Sequence, residues 1–213
     1  DELVNYFNIK DNKNLKNKSQ KKIKKGKISI FPLSNSPIRT MPIKILNELI
    51  NILKKKYVIE IFLDHNSEIS NFLYDNISYQ HVSIVAPTNK LNLFSSVKNI
   101  EYGLFMDSGP LHIAKMLNKP GILLETSVST DILLKNYYLI KGIKNDFLSP
   151  YCKAPCGLTD IFNYYNNYGC YDSLKIRTSK LKKNNFKNMN NRGVKNHYIE
   201  IIKKPVGCTT SLN

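Results

Sequence analysis

Residues 104–114 read Leu104-Phe105-Met106-Asp107-Ser108-Gly109-Pro110-Leu111-His112-Ile113-Ala114. An apolar run stops at an acidic residue, turns through Ser-Gly-Pro, and restarts in helix-forming residues with a histidine in the first turn. The pattern predicts a strand, a tight turn and a helix N-terminus. Such a junction turns backbone N–H groups and the positive end of a helix dipole toward whatever lies beyond the strand, so it is a candidate anion site.

Working outward, the same alternation repeats. Ile28–Phe31 reads as a short strand and Pro32–Thr40 as a loop. A helix is predicted from Pro42, a residue suited to a first helical position, to Lys56. Ile45, Leu46, Leu49, Ile50, Ile52 and Leu53 share one of its faces and lysines and amides the other, the pattern of a helix lying on a sheet. Tyr57–Leu63 is an apolar strand, Ser67–Asn76 a helix, and His81–Ala86 a strand. A short helix capped by Thr88 then runs to Lys98, and Ile100–Met106 is the next strand. The helix after Gly109 runs to about Asn118 and ends before Pro120-Gly121. Gly121–Glu125 is a fifth strand, followed by a helix at Asp131–Lys135 and an edge strand near Tyr138–Ile140. Near-continuous apolar strands alternating with helices predict an α/β fold, a Rossmann-like doubly wound parallel sheet. Residues 28–150 form that domain in this reading. Residues 1–27 are a basic linker, and 151–213 an irregular, Cys-containing extension with polar loops at Asn163–Tyr168 and Lys182–Arg192.

The chain carries a formal charge of +16, which raises a nucleic-acid reading. The excess sits in the flanks. Residues 1–27 hold 9 lysines against 3 acidic residues, and residues 151–213 hold 11 basic against 3 acidic, whereas 28–150 hold 12 against 10. Only Arg39, Arg177 and Arg192 are arginines, and Lys, Asn and Ile enrichment also follows from an AT-rich genome. Nucleic acid is therefore excluded as the expected partner, and attraction of the basic flanks to an anionic membrane is the better use of the charge. The chain opens at Asp1 and has no apolar run of membrane-span length and no signal-like start. It reads as a piece of a longer cytoplasmic protein, with peripheral contact at the inner face of the inner membrane.

Ligands of such sheets bind beyond the carboxyl ends of the strands. Three predicted loops arrive there: one with Ser34, Asn35, Ser36 and Arg39, one with Asp64, Asn66 and Glu68, and one with Asp107, Ser108, Gly109 and His112. Hydroxyls, a guanidinium and a helix N-terminus make a diphosphate cradle, and a neighbouring carboxylate suits ribose hydroxyls. Each piece also has a plainer reading. Ser108-Gly109-Pro110 is good turn and cap chemistry, Arg39 suits a surface cation, and Glu68 favours its own helix N-terminus. His112 falls with Lys115 and Met116, away from the buried side.

The Asp107–Ala114 stretch resembles the D-[ST]-G-x-x-H-x-A signature of the heptosyltransferase family, the ADP-heptose:lipopolysaccharide transferases and relatives of glycosyltransferase family nine. Arg39-Thr40-Met41-Pro42 is similar to the basic residue, aromatic and proline that open a helix in that family. Glu68 stands where the family has a donor-binding acidic residue. The resemblance covers residues 28–125 and extends to Cys152–Leu174, since a Cys-containing segment is common late in these enzymes. It implies the donor-binding C-terminal half of a two-domain GT-B enzyme, inverting and needing no metal or cofactor. Such an enzyme moves sugar from a nucleotide-diphospho-sugar, ADP-heptose-like, to lipopolysaccharide or a related lipid-linked glycan. By this resemblance Ser108, Gly109 and His112 contact the diphosphate and Arg39 neutralises it; Ser34 joins the donor-binding set by its place on the first of the three loops. Glu68 faces the nucleoside, and Asp107 anchors the turn. Met41 in place of the aromatic is expected to loosen base or sugar packing. The family's catalytic base lies in the N-terminal domain, so no base is assigned here. A non-catalytic nucleotide-binding module is the alternative.

Cys152, Cys156, Cys170 and Cys208 admit a structural zinc reading, but the first gap is wider than the two-residue spacing of strong zinc motifs. Reduced thiols packing the extension are favoured.

Overall fold

The computed structural model describes residues 26–65, 67–78, 80, 82–149, 153–159 and 192–212. Six strands make one sheet: β1 (Lys27–Phe31), β2 (Val58–Phe62), β3 (Val82–Val85), β4 (Tyr102–Phe105), β5 (Gly121–Leu124) and β6 (Ile140–Ile143). Their order is β3-β2-β1-β4-β5-β6, and every neighbouring pair is parallel. The intervening helices are α1 (Ile43–Leu53), α2 (Glu68–Asn76), α3 (Lys90–Lys98), α4 (Gly109–Met116) and α5 (Thr130–Leu133), with α6 (Arg192–Lys203) after the last strand. The chain is thus an α/β protein with the expected Rossmann-like doubly wound sheet. Its strand order reverses between β1 and β4, which opens a crevice at their carboxyl ends.

Side-chain alternation feeds two cores. Ile28, Ile30, Ile59, Ile61, Leu104 and Ile122 pack under α1, α2 and α6. Phe31, Phe62, Phe105 and Leu123 pack under α3, α4 and α5. On that second face the Phe31 ring stacks on Phe62 at 4.3 Å and on Phe105 at 5.0 Å between centroids, joining β2, β1 and β4 at their last residues. Glu60, the one charge within the apolar second strand, accepts hydrogen bonds from Ser29 Oγ (3.1 Å) and Lys27 Nζ (3.1 Å), which answers the cost of half-burying a carboxylate. Where β4 meets β5, two glycines are steric necessities. A Cβ on Gly121 would collide with the Gly103 carbonyl oxygen, and one on Gly103 with the Phe105 ring, so β4 and β5 approach only as glycines.

Several boundaries differ from the sequence reading. Pro42 is the N-cap of α1, and helical geometry starts at Ile43. Ile52 is 49% exposed rather than on the inward face. Asn89, not Thr88, caps α3: its side chain accepts from the Asn92 N–H at 2.9 Å while Thr88 Oγ1 accepts from the Asn92 amide. The last strand starts at Ile140, so Tyr138 and Leu139 lead into it. The largest difference lies in the extension. Residues 192–203 are helical, with Tyr198, Ile201 and Ile202 buried in the same core as α1. A turn of 3-10 helix at Gly207–Ser211 buries Cys208 and Thr209. The loop expected at 163–168 and most of that at 182–192 lie outside the described residues, as do residues 1–25.

Candidate functional site

A cleft of about 870 Å³ opens at the carboxyl edge above β1, β2 and β4. Ser34, Arg39, Glu68, Asp107, Ser108, Gly109 and His112 all line it, as do Asn35 and Asp64, whereas Ser36 is buried and does not. They arrive on three connections, each set by its own local chemistry.

The loop after β1 is closed by Thr40. Its hydroxyl bonds the Ser34 and Ser36 carbonyls (3.2 and 2.9 Å) and accepts from the Ser34 N–H (3.1 Å), while the Met41 N–H reaches the Pro32 carbonyl at 2.8 Å. This folds residues 32–41 into a tight excursion that presents Ser34 and Arg39 over β1. Met41 itself is fully buried in the core and does not line the cleft, so the expected link between Met41 and base or sugar packing does not hold. The second connection places Asp64 and the α2 N-terminus, where Ser67 caps by accepting from the Ser70 N–H and Glu68 occupies the first helical position. Asn66 lies outside the described residues.

The third connection is the motif. Asp107 is nearly buried and its Oδ2 accepts from Arg39 Nη1 at 3.0 Å. Arg39 Nε also donates to the Thr159 carbonyl at 2.9 Å, pinning the 153–159 loop beside the cleft. Asp107 thus holds two strand-end loops together across 68 residues of sequence, which extends the anchoring role expected of it. Arg39 shares its charge with that carboxylate instead of standing as an isolated cation.

Ser108 is the N-cap residue of α4 in extended backbone, yet its hydroxyl bonds back to the Met106 carbonyl at 3.3 Å and caps nothing. The helix N-terminus is therefore left without a side-chain cap, and the plainer capping reading of Ser108 fails. His112, one turn in, is exposed on the cleft wall. Gly109 is informative by contrast with Gly103 and Gly121. A Cβ there would meet nothing within 4 Å, and its φ is not in the left-handed range. Nothing in the fold requires glycine at 109; close approach of a ligand to the backbone would. Gly109→Ala is accordingly expected to raise stability by about 0.5 kcal/mol, through the unfolded chain and helix propensity, while weakening anion binding. Thermal unfolding and calorimetry with ADP would move in opposite directions; parallel losses would mean that the glycine is structural.

Sequence reasoning missed three parts of the cleft. Phe31 and Phe62 form part of its floor, Pro87–Lys90 and Leu93 a side wall, and Tyr198 reaches it from α6. The Tyr198, Ile201, Ile202 spacing was the available signal for α6. Of the cysteines, Cys156 is exposed and Cys208 is buried with Sγ 3.9 Å from the Ile38 carbonyl oxygen; Cys152 and Cys170 lie outside the described residues. Among the described residues no group of three His, Cys, Asp or Glu side chains is arranged to hold a metal ion.

Solved structures similar to this chain include Escherichia coli ADP-heptose lipopolysaccharide heptosyltransferase II, at 18% identity and TM-score 0.48, aligned over 57% of this chain and 39% of that one. E. coli heptosyltransferase WaaC with ADP-2-deoxy-2-fluoro heptose aligns at 13% identity and TM-score 0.48, over 57% and 38%. The dodecameric iron-containing heptosyltransferase TibC, in complex with ADP-D-beta-D-heptose, aligns at 13% identity and TM-score 0.44, over 90% and 46%. A second TibC structure, from enterotoxigenic E. coli, is likewise described as iron-containing. The chain spans less than half the length of these structures. No curated protein sequence matches it. The TibC descriptions overturn the expectation that no metal is required, because iron occurs among proteins of this kind. The described residues do not fit such a group.

The model of glycosyltransferase family 9, heptosyltransferase, matches residues 1–129, more than half of the 213. The chain belongs to that family.

Proposed function

We propose that this chain holds the nucleotide-diphospho-sugar donor of a glycosyltransferase, with the diphosphate over the uncapped N-terminus of α4. The observation that carries the reading is the convergence of the seven residues on one cleft at the strand-order reversal, with Gly109 open to it. The Gly109 N–H and the α4 dipole face the leaving group, His112 donates to a phosphate oxygen from the helix's first turn, and Arg39 adds charge from the facing loop. Glu68 takes the nucleoside side. Departure of a nucleoside diphosphate builds negative charge, and donors already aimed at it lower the barrier. The family's name makes an ADP-heptose-like sugar the first donor to test. The lipid-linked acceptor, lipopolysaccharide or a related glycan, and the base that activates it are assigned to a second, facing domain of a GT-B enzyme, and the chemistry is taken to invert the anomeric centre.

His112→Ala is expected to weaken ADP binding by about 10- to 150-fold, the loss of a hydrogen bond to a charged group, about 1.5–3 kcal/mol. Isothermal calorimetry checks this. Equal affinity in both proteins for ADP and other nucleoside diphosphates would remove the site assignment.

Among the described residues no helix is long and apolar enough to cross a membrane. Peripheral contact with an anionic bilayer at the cytoplasmic face belongs to the same proposal, and one edge of the sheet supports it. Helices in this fold run opposite to the strands, so their C-termini gather at the amino edge. Lys54–Lys56, Lys98, Lys119 and Lys135 lie at that edge, as does Tyr138, which is 87% exposed. β1 also starts at that edge, at Lys27. Co-sedimentation with anionic vesicles is expected to exceed that with zwitterionic ones and to fall as salt rises; equal binding to both would rule the contact out.

A further inference from the structure

The C-terminal helix packs against two of the elements that frame the donor cleft. α6 packs against the Pro37–Arg39 turn, which carries the guanidinium, and against α2, whose first residue is Glu68. The cleft is lined by Tyr198 of α6, only 4% exposed, together with Arg39 and Glu68. Ile201 and Ile202, one turn on, are equally buried in the same core as Tyr198 but do not line the cleft. The helix cannot slide along its seat, because the chain after it is fixed. Asn145 Nδ2 donates to the Cys208 carbonyl at 2.7 Å, Ser211 Oγ donates to Asn145 Oδ1 at 2.6 Å, and Cys208 Sγ lies on the Ile38 carbonyl.

We propose that Tyr198 is a positioning residue of the donor site, its ring setting the separation between the Arg39 turn and the Glu68 helix end. The inference rests on the donor-binding reading above. An aromatic ring suits the task. It is large, has two side-chain torsions, and a surrounding core locks both. Arg39 serves the diphosphate and Glu68 the nucleoside, so a ligand that bridges both ends feels their separation, whereas a ligand using one end does not. ADP bridges; pyrophosphate does not. A smaller side chain at 198 would let α6 settle inward and carry the two loops with it, costing affinity for the bridging ligand first.

The test is calorimetry on the full chain with ADP and with pyrophosphate, for the unaltered protein, Tyr198→Leu, Tyr198→Phe and Ile202→Ala, each well below its melting temperature. Tyr198→Leu is expected to bind ADP at least tenfold more weakly, with pyrophosphate affinity changed less than threefold. Tyr198→Phe restores ADP binding to within threefold. Ile202→Ala lowers the melting temperature through lost core packing yet keeps ADP affinity. Should the leucine variant not fold, Tyr198→Met, which retains more of the buried volume, is held to the same expectation. Unchanged ADP affinity in Tyr198→Leu, or an equal loss in Ile202→Ala, overturns the inference while leaving donor binding intact. No ADP or other nucleoside diphosphate binding by the unaltered chain overturns the donor reading and this inference with it.

Discussion

Arg39→Ala is expected to lower the unfolding free energy by about 3 kcal/mol and to abolish most ADP binding. The Arg39–Asp107 pair is mostly out of solvent, with 16% and 9% of the two side chains exposed. Removing one partner of such a pair leaves the other charge buried without compensation, which costs far more than losing a surface bridge. The variant also releases the Thr159 carbonyl, and with it the 153–159 loop. For a chain of this size the loss corresponds to a melting temperature lower by about 6–12 °C. Arg39→Lys would not restore it. One ammonium cannot reach Asp107 Oδ2 and the Thr159 carbonyl in the forked geometry that Nη1 and Nε provide. Asp107→Asn separates the two roles: it keeps the shape, removes the pairing charge, and leaves the guanidinium to a bound diphosphate. It should therefore destabilise the protein while retaining part of the ADP affinity lost in Arg39→Ala. A melting temperature for Arg39→Ala within 2 °C of the parent, on the order of the shift from a surface substitution, would show the pair to be a solvent-screened contact.

The same pair marks how far the sequence could be read. Most of what rests on local periodicity was legible up to residue 125, though Ile52 and the cap of α3 were not. The apolar strands, the α1 stripe and the Ser-Gly-Pro junction each announce themselves within a dozen residues, and parallel order follows from their alternation. Contacts between distant residues were not legible. Nothing near Arg39 points to Asp107, and nothing near Thr40 shows that its hydroxyl, not a glycine or a longer loop, closes the excursion that carries Ser34. Tyr198 was hidden differently. Its helix lies in a Lys- and Asn-rich stretch whose composition reads as loop, and Tyr198, Ile201 and Ile202 are too few apolar residues to outweigh that background without the core they enter. Gly109 could be recognised as part of a motif, but only the empty space around its Cα separates a ligand-driven glycine from the packing glycines at 103 and 121.

Glu125→Ala is the other substitution with a large expected effect, on the order of 4 kcal/mol, or about 8–16 °C in melting temperature. Glu125 follows β5 and is 2% exposed. Its Oε2 accepts from the Thr130 N–H and hydroxyl at 2.6 and 2.7 Å, and its Oε1 from the Asn145 N–H at 3.0 Å. Alanine leaves three buried donors unanswered and a cavity beside them. The consequences run further because Asn145 is the hub of the C-terminal attachment. It donates to the Glu125 and Cys208 carbonyls and accepts from Ser211 and from the Phe147 N–H. Loss of the carboxylate therefore loosens the Gly207–Ser211 turn, and with it α6, before the sheet itself melts. Hydrogen exchange should show this order, with protection falling first at residues 198–211 and last in β1 and β4. Glu125→Gln keeps the volume but sets an amide N–H₂ against one of the donors, so it is expected to lose about 1–3 kcal/mol and to show the same order of opening. Uniform loss of protection across the sheet and α6 would mean that the network supports the core as a whole rather than the seat of the C-terminal helix.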